Sequence, residues 1–424
     1  MRKTFSDYLN RECTEPIRDP LWKNILLPKD LLPLLTLPAV QKLQGIKQLG
    51  PTYLVYPGAV HSRFMHSLGV FHLGKRLFSA LLMKDEGPQF SLEGVKAFLA
   101  ACLFHDLGHY PFAHSLKELP VKAHEALTGE LLRSGELYKC LKEKSRIDPS
   151  LVAAIVDESL PIEGNEEISF FRGLLSGVLD PDKLDYLNRD AYFCGVPYGV
   201  QDVDFIISKC VHHPFRGMAL SPAGISAVEN LLFSKYLMYR TVYWHKTVRI
   251  ATAMIKKAIY SGLKVGVLTT DMLYFLDDNE FYHNFGKGDF PGSALIDMVF
   301  HRHLYKVVYE TTFDESEEIH RRLLSLEERA LAEAKLAEGL SLSLSSSLTP
   351  EDVIIDIPEK ISFEVDLPIG VSGDTFIDFS RSQTVFTPPL VSGFTKTIRK
   401  LRIICPPSIV DRVPPGETLL AWIS

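Results

Sequence analysis

Three histidines and an aspartate fall within ten residues of the segment FHDLGHYPFAHSLKE (104–118): His105, Asp106, His109 and His114. Imidazole and carboxylate are donors that hold divalent cations, and imidazole also moves protons near neutral pH. With only 14 histidines in 424 residues, this density is far above an even spread. His105 and Asp106 are neighbours, about 100° apart on a helix, and could straddle an ion from one helix edge. His109 lies one turn beyond His105 on the same face. Pro111 then breaks the helix and lets His114 approach from another direction. Three further segments carry residues of similar type: HSRFMHSLGV (61–70), KAHEALTGE (122–130) and LDPDKLDYLNRDAYFCGVPYG (179–199). In the last of these, Asp180-Pro181 has the form of an N-cap followed by the first helical residue. Asp182, Tyr186 and Asp190 then recur every four residues with Lys183 beside them. Carboxylate, amine and phenol on one helical face make either a nucleotide-binding edge or the solvated side of an amphipathic helix.

Helices must position these groups. From 62 to about 265 the apolar residues recur mainly at i, i+3, i+4, in HSLGVFHLGKRLFSALLM, VKAFLAACLFHDLGH and AHEALTGELLR. Residues 226–259 contain no Pro or Gly and predict one long helix or two abutting ones. Residues 1–50 mix short apolar helical patches with Pro breaks, and PTYLVYPGA (51–59) reads as a turn or short strand. After about 310 the composition shifts. Residues 313–339 are charged and helix-prone, with opposite charges at i, i+4. LSLSLSSSLTPED (340–352) reads as a linker, and DVIIDIPEKISFEVDLP (352–368) alternates like strands. The expected fold is mainly α, with a small β-rich or α+β C-terminal appendage. Its expected divisions are an N-terminal segment (1–50), a helical core (51–310), a charged helix and linker (311–349), and the appendage (350–424). At ~150 residues per domain, the length alone predicts about three structural units, or one large domain with additions.

Composition excludes several classes of function. Forty-six basic and 52 acidic residues give a net charge of −6, which rules out a chain built as a polybasic nucleic-acid binder. Any phosphate site must therefore gather its own cations. The basic run KTIRKLR (396–402) reads as a solvated strand or helix edge, with nucleic-acid contact as the lesser reading. Six cysteines, at 13, 102, 140, 194, 210 and 405, form no C-x-x-C pair, so neither a zinc ribbon nor a redox dithiol is signalled. The polar start MRKTFSDYLNRE does not resemble a secretory signal, and no apolar run approaches the ~18–20 residues of a membrane span. A soluble cytoplasmic protein is expected.

The order His66, His105-Asp106, Asp182 resembles the H…HD…D signature of HD-domain metal-dependent phosphohydrolases. IKQLG (46–50), VYPGA…R-F-x-H-S-L-G-V, HDLGH-x-P-F-x-H and D-x-D-K-x-D-Y-x-x-R-D resemble its deoxynucleoside triphosphate triphosphohydrolase branch, over residues 19–250. The resemblance implies a helical HD core and a divalent metal held by His66, His105, Asp106 and Asp182. An open site with N and O ligands suits Mn, Fe, Co, Ni or Mg better than Zn. It further implies that His109, His124 and Glu125 sit over the α-phosphate, with His114 as general acid or orienting group at the departing 5′-oxygen. Arg63 and Lys183 would hold phosphates. Lys235, Tyr239, Tyr243 and Lys246 would run along the triphosphate and sugar. Asp190 would accept the 3′-hydroxyl, Tyr186 would exclude a 2′-hydroxyl, and Gln48 and Leu49 would lie near base and sugar. The implied reaction releases inorganic triphosphate and a deoxynucleoside. Other nucleotide phosphate esters, and a non-catalytic nucleotide-sensing scaffold, are the competing expectations. A homo-oligomer is expected, with the 313–339 helix as a candidate contact.

Some positions depart from the branch. Gln44 replaces an arginine that binds an activating nucleotide in some members, which argues against that mode of activation. Lys117 stands where an acidic partner for His114 is usual, so Glu118 becomes the candidate to orient it. Lys235 keeps a charge where arginine is familiar but loses the bidentate fork.

Overall fold

The computed structural model describes residues 5, 7–9, 16–83, 90–162, 164–213, 217–361, 363, 367–372 and 375–423. Cys13 and most of the polar run 1–12 lie outside them.

Two apolar helices form the centre, α1 (Arg63–Met83) and α2 (Leu92–Phe104). In α2 every residue from Val95 to Phe104 except Lys96 is buried, as an all-round apolar helix requires. Ser91 caps it by accepting from the Gly94 N–H at 2.8 Å. Around them stand α3 (His124–Leu132), α4 (Pro149–Val156), α5 (Glu166–Leu175) and α6 (Pro181–Cys194). Asp180 caps α6 through the Lys183 N–H at 2.6 Å, with Pro181 at the first helical position, as the sequence predicts. α6 lies along α1 so closely that a Cβ on Gly69 would fall 1.8 Å from the Asp185 carboxylate. That approach sets His66 of α1 against the acidic face of α6.

Residues 226–259 are two helices. α7 (Ile225–Met238) runs into a π-turn over Tyr239–Tyr243, and α8 (Lys246–Lys264) begins afresh with His245 as its cap. Two expectations need correction, for the end of α2 and for the Ser/Leu run. α2 stops at Phe104, so His105, Asp106 and His109 sit on a tight turn and not on one helical face. Residues Gly50–Leu54 form a 3₁₀ turn, the first of the two forms expected for this segment. The Ser/Leu run is in part helix: α9 (Leu326–Leu344) continues through it, because Leu336, Leu340 and Leu344 keep an apolar stripe at four-residue spacing. Its αL residue Ser345 ends it.

Strands are few. β1 (Cys210–His213), β2 (Gly217–Leu220), β5 (Pro368–Ser372) and β6 (Thr375–Asp378) form one sheet; β3 (Lys306–Thr312), β7 (Lys400–Cys405) and β4 (Ile354–Asp356) form another, in that order. The fold is mainly α with small sheets, as expected. These two sheets pair C-terminal strands with strands from earlier in the chain, β5 parallel to β2 and β7 antiparallel to β3, while Ile17–Asp19 and Lys23–Ile25 form a separate two-stranded ladder. The basic run 396–402 is largely consumed in this packing. Arg399 is buried, donates to Pro358 O at 2.7 Å and stacks over Phe313; Arg402 is buried and donates to Glu310 at 2.6 Å. The edge is therefore paired and not solvated.

Glu118 does not orient His114 directly. It is gripped by Lys256 of α8 and by both terminal nitrogens of Arg329 of α9, at 3.1 and 3.2 Å. Burial alone would raise its carboxyl, but the two cations outweigh it and hold it at about 2 instead of 4.5. The pair's contribution is complete above pH 4.5 and is lost as pH falls toward 2, worth about 3 kcal/mol. Between pH 5 and 2.5, urea unfolding of wild type is expected to lose more stability than that of Glu118→Gln. Parallel losses would refute this linkage.

Candidate metal and phosphate site

The turn after α2 places His105 and Asp106 opposite His66 of α1 and Asp182 of α6. The His105 Nδ1–H donates to Cys102 O at 3.0 Å, which leaves Nε2 as the free lone pair. That Nε2 is buried and makes no hydrogen bond. It lies 3.3 Å from Asp106 Oδ1 and 3.9 Å from Asp182 Oδ1. His66 Nε2 meets Asp182 Oδ1 at 2.9 Å. Donor atoms of His66, His105 and Asp182 all lie within 4.8 Å of one another, as do those of Asp106, His109 and His124. The four expected ligands therefore come close, but Asp106 is drawn toward a second group: its Oδ2 accepts from Arg63 at 2.7 Å and its Oδ1 faces His109 Nδ1 at 3.1 Å.

An orphaned buried imidazole nitrogen beside two carboxylates fits a divalent cation. His66 supports the same reading. Burial opposes charge on it, yet hydrogen bonds to Asp182 and Asp185 push it up to about 10. Two carboxylates facing one imidazole make this point favourable to positive charge.

Behind His66 stands a carboxylate the sequence reading did not single out. Asp185 Oδ2 faces His66 Nδ1 at 2.8 Å and so orients the ring. Asp185 is itself held by the Arg189 fork at 2.8 and 2.9 Å and by the Trp22 indole N–H at 2.5 Å. The third Arg189 nitrogen donates to Asp19 at 2.8 Å. The i, i+4 pair Asp185–Arg189 was visible as a spacing; Asp19 and Trp22, more than 160 residues away, left no signal.

The turn continues into a cluster of imidazoles. His109 and His114 approach through their Nε2 atoms at 3.2 Å, and the His109 and His124 rings are 3.8 Å apart between centroids. Burial first, then Arg63, lowers His109 to about 4. Burial and His109 also hold His114 and His124 well below the ordinary range. His114 is nonetheless open to water at the cavity wall, so crowding depresses it less than full enclosure would.

Every candidate from the sequence except Lys246 lines one cavity of about 700 Å³. Gln48 and Leu49 flank one side, with Gln48 Oε1 buried and unpartnered. Arg63, Lys183 and Lys235 bring cations, and Glu125 stands beside His124 at 3.2 Å. Asp190 is buried, accepting from Tyr243 OH at 2.7 Å and contacting His61 Nε2 at 2.9 Å. Tyr186 and Tyr239 complete that wall; burial raises both phenols, so they stay protonated. Lys246 is exposed outside the cavity. The π-turn and the break at Trp244–His245 rephase the chain, so the stripe of Lys235, Tyr239 and Tyr243 does not extend to it. Arg249, Glu359 and Lys360 line the cavity as well, two of them from the C-terminal region and none foreseen.

Comparison with known proteins shows the family of the chain. The HD domain family model matches residues 63–160, and that of the HD associated region matches 202–382. MJ1154 of Methanocaldococcus jannaschii is 30% identical over 347 residues, covering 80% of this chain and 68% of that relative. The zebrafish (Danio rerio) deoxynucleoside triphosphate triphosphohydrolase SAMHD1 is 26% identical, over 82% of this chain and 64% of its own length. A solved phosphohydrolase structure from Bacteroides thetaiotaomicron superposes with a TM-score of 0.69 at 26% identity, covering 93% of this chain and all of that one. The chain belongs to the HD-domain phosphohydrolase family, and within it resembles the deoxynucleoside triphosphate triphosphohydrolase branch. It spans 49% of the length of the Bacillus subtilis relative YwfO, with 36% identity over 221 residues. Among the described residues, no helix is long and apolar enough to cross a membrane.

Proposed function

We propose that this chain is a divalent-metal-dependent hydrolase that splits deoxynucleoside triphosphates into deoxynucleoside and inorganic triphosphate. The observation that carries the reading is the buried, unpartnered Nε2 of His105, facing His66 and Asp182 at the floor of a cation-lined cavity. A cavity of about 700 Å³ lies in the range that encloses a ligand of nucleotide size. The kinship with SAMHD1, whose name states that activity, supports the substrate class.

In this reading His66, His105, Asp106 and Asp182 hold the ion, with Mn, Fe, Co, Ni or Mg favoured over Zn. The ion supplies Lewis acidity to the phosphoryl group and to water. Arg63, Lys183 and Lys235 bind phosphate oxygens and gather the charge that a chain of net −6 does not offer at long range. His109, His124 and Glu125 face the α-phosphate. Burial and His109 favour the neutral form of His114; an anionic substrate favours its protonated form, from which it delivers a proton to the departing 5′-oxygen. Asp190, held by Tyr243 and His61, keeps lone pairs free for a 3′-hydroxyl, and Tyr186 closes the space a 2′-hydroxyl would need. A cytoplasmic homo-oligomer is part of the same proposal.

The test is a product-resolved assay of the four dNTPs with Mn²⁺. Release of inorganic triphosphate from at least one is the expected result. Turnover restricted to other phosphate esters would overturn the substrate assignment, and nucleotide binding without turnover under any metal would overturn the enzymatic reading.

A further inference from the structure

The His114 ring meets other imidazoles, His109 at 3.2 Å between Nε2 atoms and His124 at 5.6 Å between centroids. Lys117, three residues on, is exposed and offers no acceptor. The direction of the His114 ring therefore follows from the turn that carries it. That turn is stiff at its start. Phe112 sits in the left-handed region at φ 61°, and its carbonyl accepts from the N–H groups of Ser115 at 2.7 Å and Leu116 at 3.1 Å. Leu116 and Leu119 are buried in the core around α8. Its far end is held by Glu118, four residues after His114. One oxygen of Glu118 meets Lys256 of α8, and both accept from the Arg329 fork of α9. Both cations are buried, and Arg329 is itself fixed by donating from Nε to Leu323 O at 3.0 Å. A bidentate guanidinium–carboxylate pair fixes direction as well as distance. Arg329 does not line the cavity, so it acts on the site without touching a ligand.

We infer that Glu118 is a positioning residue for His114, and that Arg329 of α9 sets the placement of that imidazole from outside the cavity. The inference rests on the reading above that His114 acts on the substrate. It gives α9 a function: the turn, and with it proton delivery, is in register only while α9 is docked against α8.

A neighbouring pair supplies the control. Lys257 and Glu333 join the same two helices through a buried contact of 2.5 Å that does not involve Glu118. The full chain is compared as wild type, Arg329→Met, Arg329→Lys and Lys257→Met. Arg329→Met is expected to lower kcat on the preferred nucleotide by about 10²-fold, the scale of a small misplacement of a reacting group. KM and bound Mn²⁺ are expected to be retained, and amide exchange to quicken in residues 112–119. Arg329→Lys should recover part of kcat; it also serves for the comparison if the methionine variant does not fold. Lys257→Met should lower the melting temperature with kcat kept. Equal falls of kcat in Arg329→Met and Lys257→Met, or unchanged exchange in 112–119, overturn the inference. Should wild type turn over no nucleotide, the proposed function fails while the exchange comparison still decides whether Arg329 positions the turn.

Discussion

Arg189→Met is expected to cost the fold about 3–5 kcal/mol, the range for breaking a buried ion pair and leaving its partner behind. Arg189 is fully buried and satisfies two carboxylates at once, Asp185 and Asp19. Methionine matches much of its volume and offers no donor. Asp185 would keep only the Trp22 N–H and His66, and Asp19 only backbone N–H groups of residues 21 and 22. Burial pushes the Asp185 carboxyl up, but Arg189 and His66 outweigh it and hold it far below the ordinary carboxylate range. Stability from that depression is present above the ordinary aspartate pKa and is lost as pH falls. The gap between wild type and variant is therefore expected to narrow toward acid pH. Urea unfolding at pH 7 and at about pH 2.5, below the ordinary aspartate pKa, measures both quantities; a loss below about 1 kcal/mol at pH 7 would show that Arg189 is replaceable.

His105→Ala is expected to abolish specific binding of a divalent ion while leaving most of the fold. The side chain contributes one hydrogen bond, to Cys102 O, and its other nitrogen is unpartnered, so truncation removes little that holds the chain together. In wild type, Mn²⁺ at a hundred times its Kd should raise unfolding free energy by about 2.7 kcal/mol. In the variant that gain should vanish. Calorimetric titration and metal analysis check this without reference to catalysis. Asp185→Asn should fall between the two, weakening affinity about 10–100-fold by releasing the His66 ring. A His105→Ala protein that still takes up one equivalent of Mn²⁺ with unchanged affinity would overturn the site.

These two predictions differ in how they could have been reached. His105 stood out from residue type and local density, because metal chemistry restricts donors to a few side chains. The fork of Arg189 between Asp185 and Asp19 could not be seen, because only half of it lies at a helical spacing. Lys246 shows the converse error. The family resemblance placed it beside the Lys235, Tyr239, Tyr243 stripe, three residues on, and a π-turn, which leaves no compositional mark, carried it out of the cavity. Glu118 was singled out for its place beside Lys117, but its partners came from α8 and α9, elements whose docking no local pattern reveals.

Apolar periodicity and capping residues were enough to predict a mainly helical chain, since these are local properties of the polymer, and the order of the donors carried the resemblance to HD-domain phosphohydrolases. Which carboxylate faces which imidazole depended on how closely α6 settles on α1 at Gly69, and which basic residues are free depended on what the C-terminal strands bury. Such choices are made by close packing between distant segments, where a shift of an ångström exchanges one partner for another, and linear spacing holds no record of that distance.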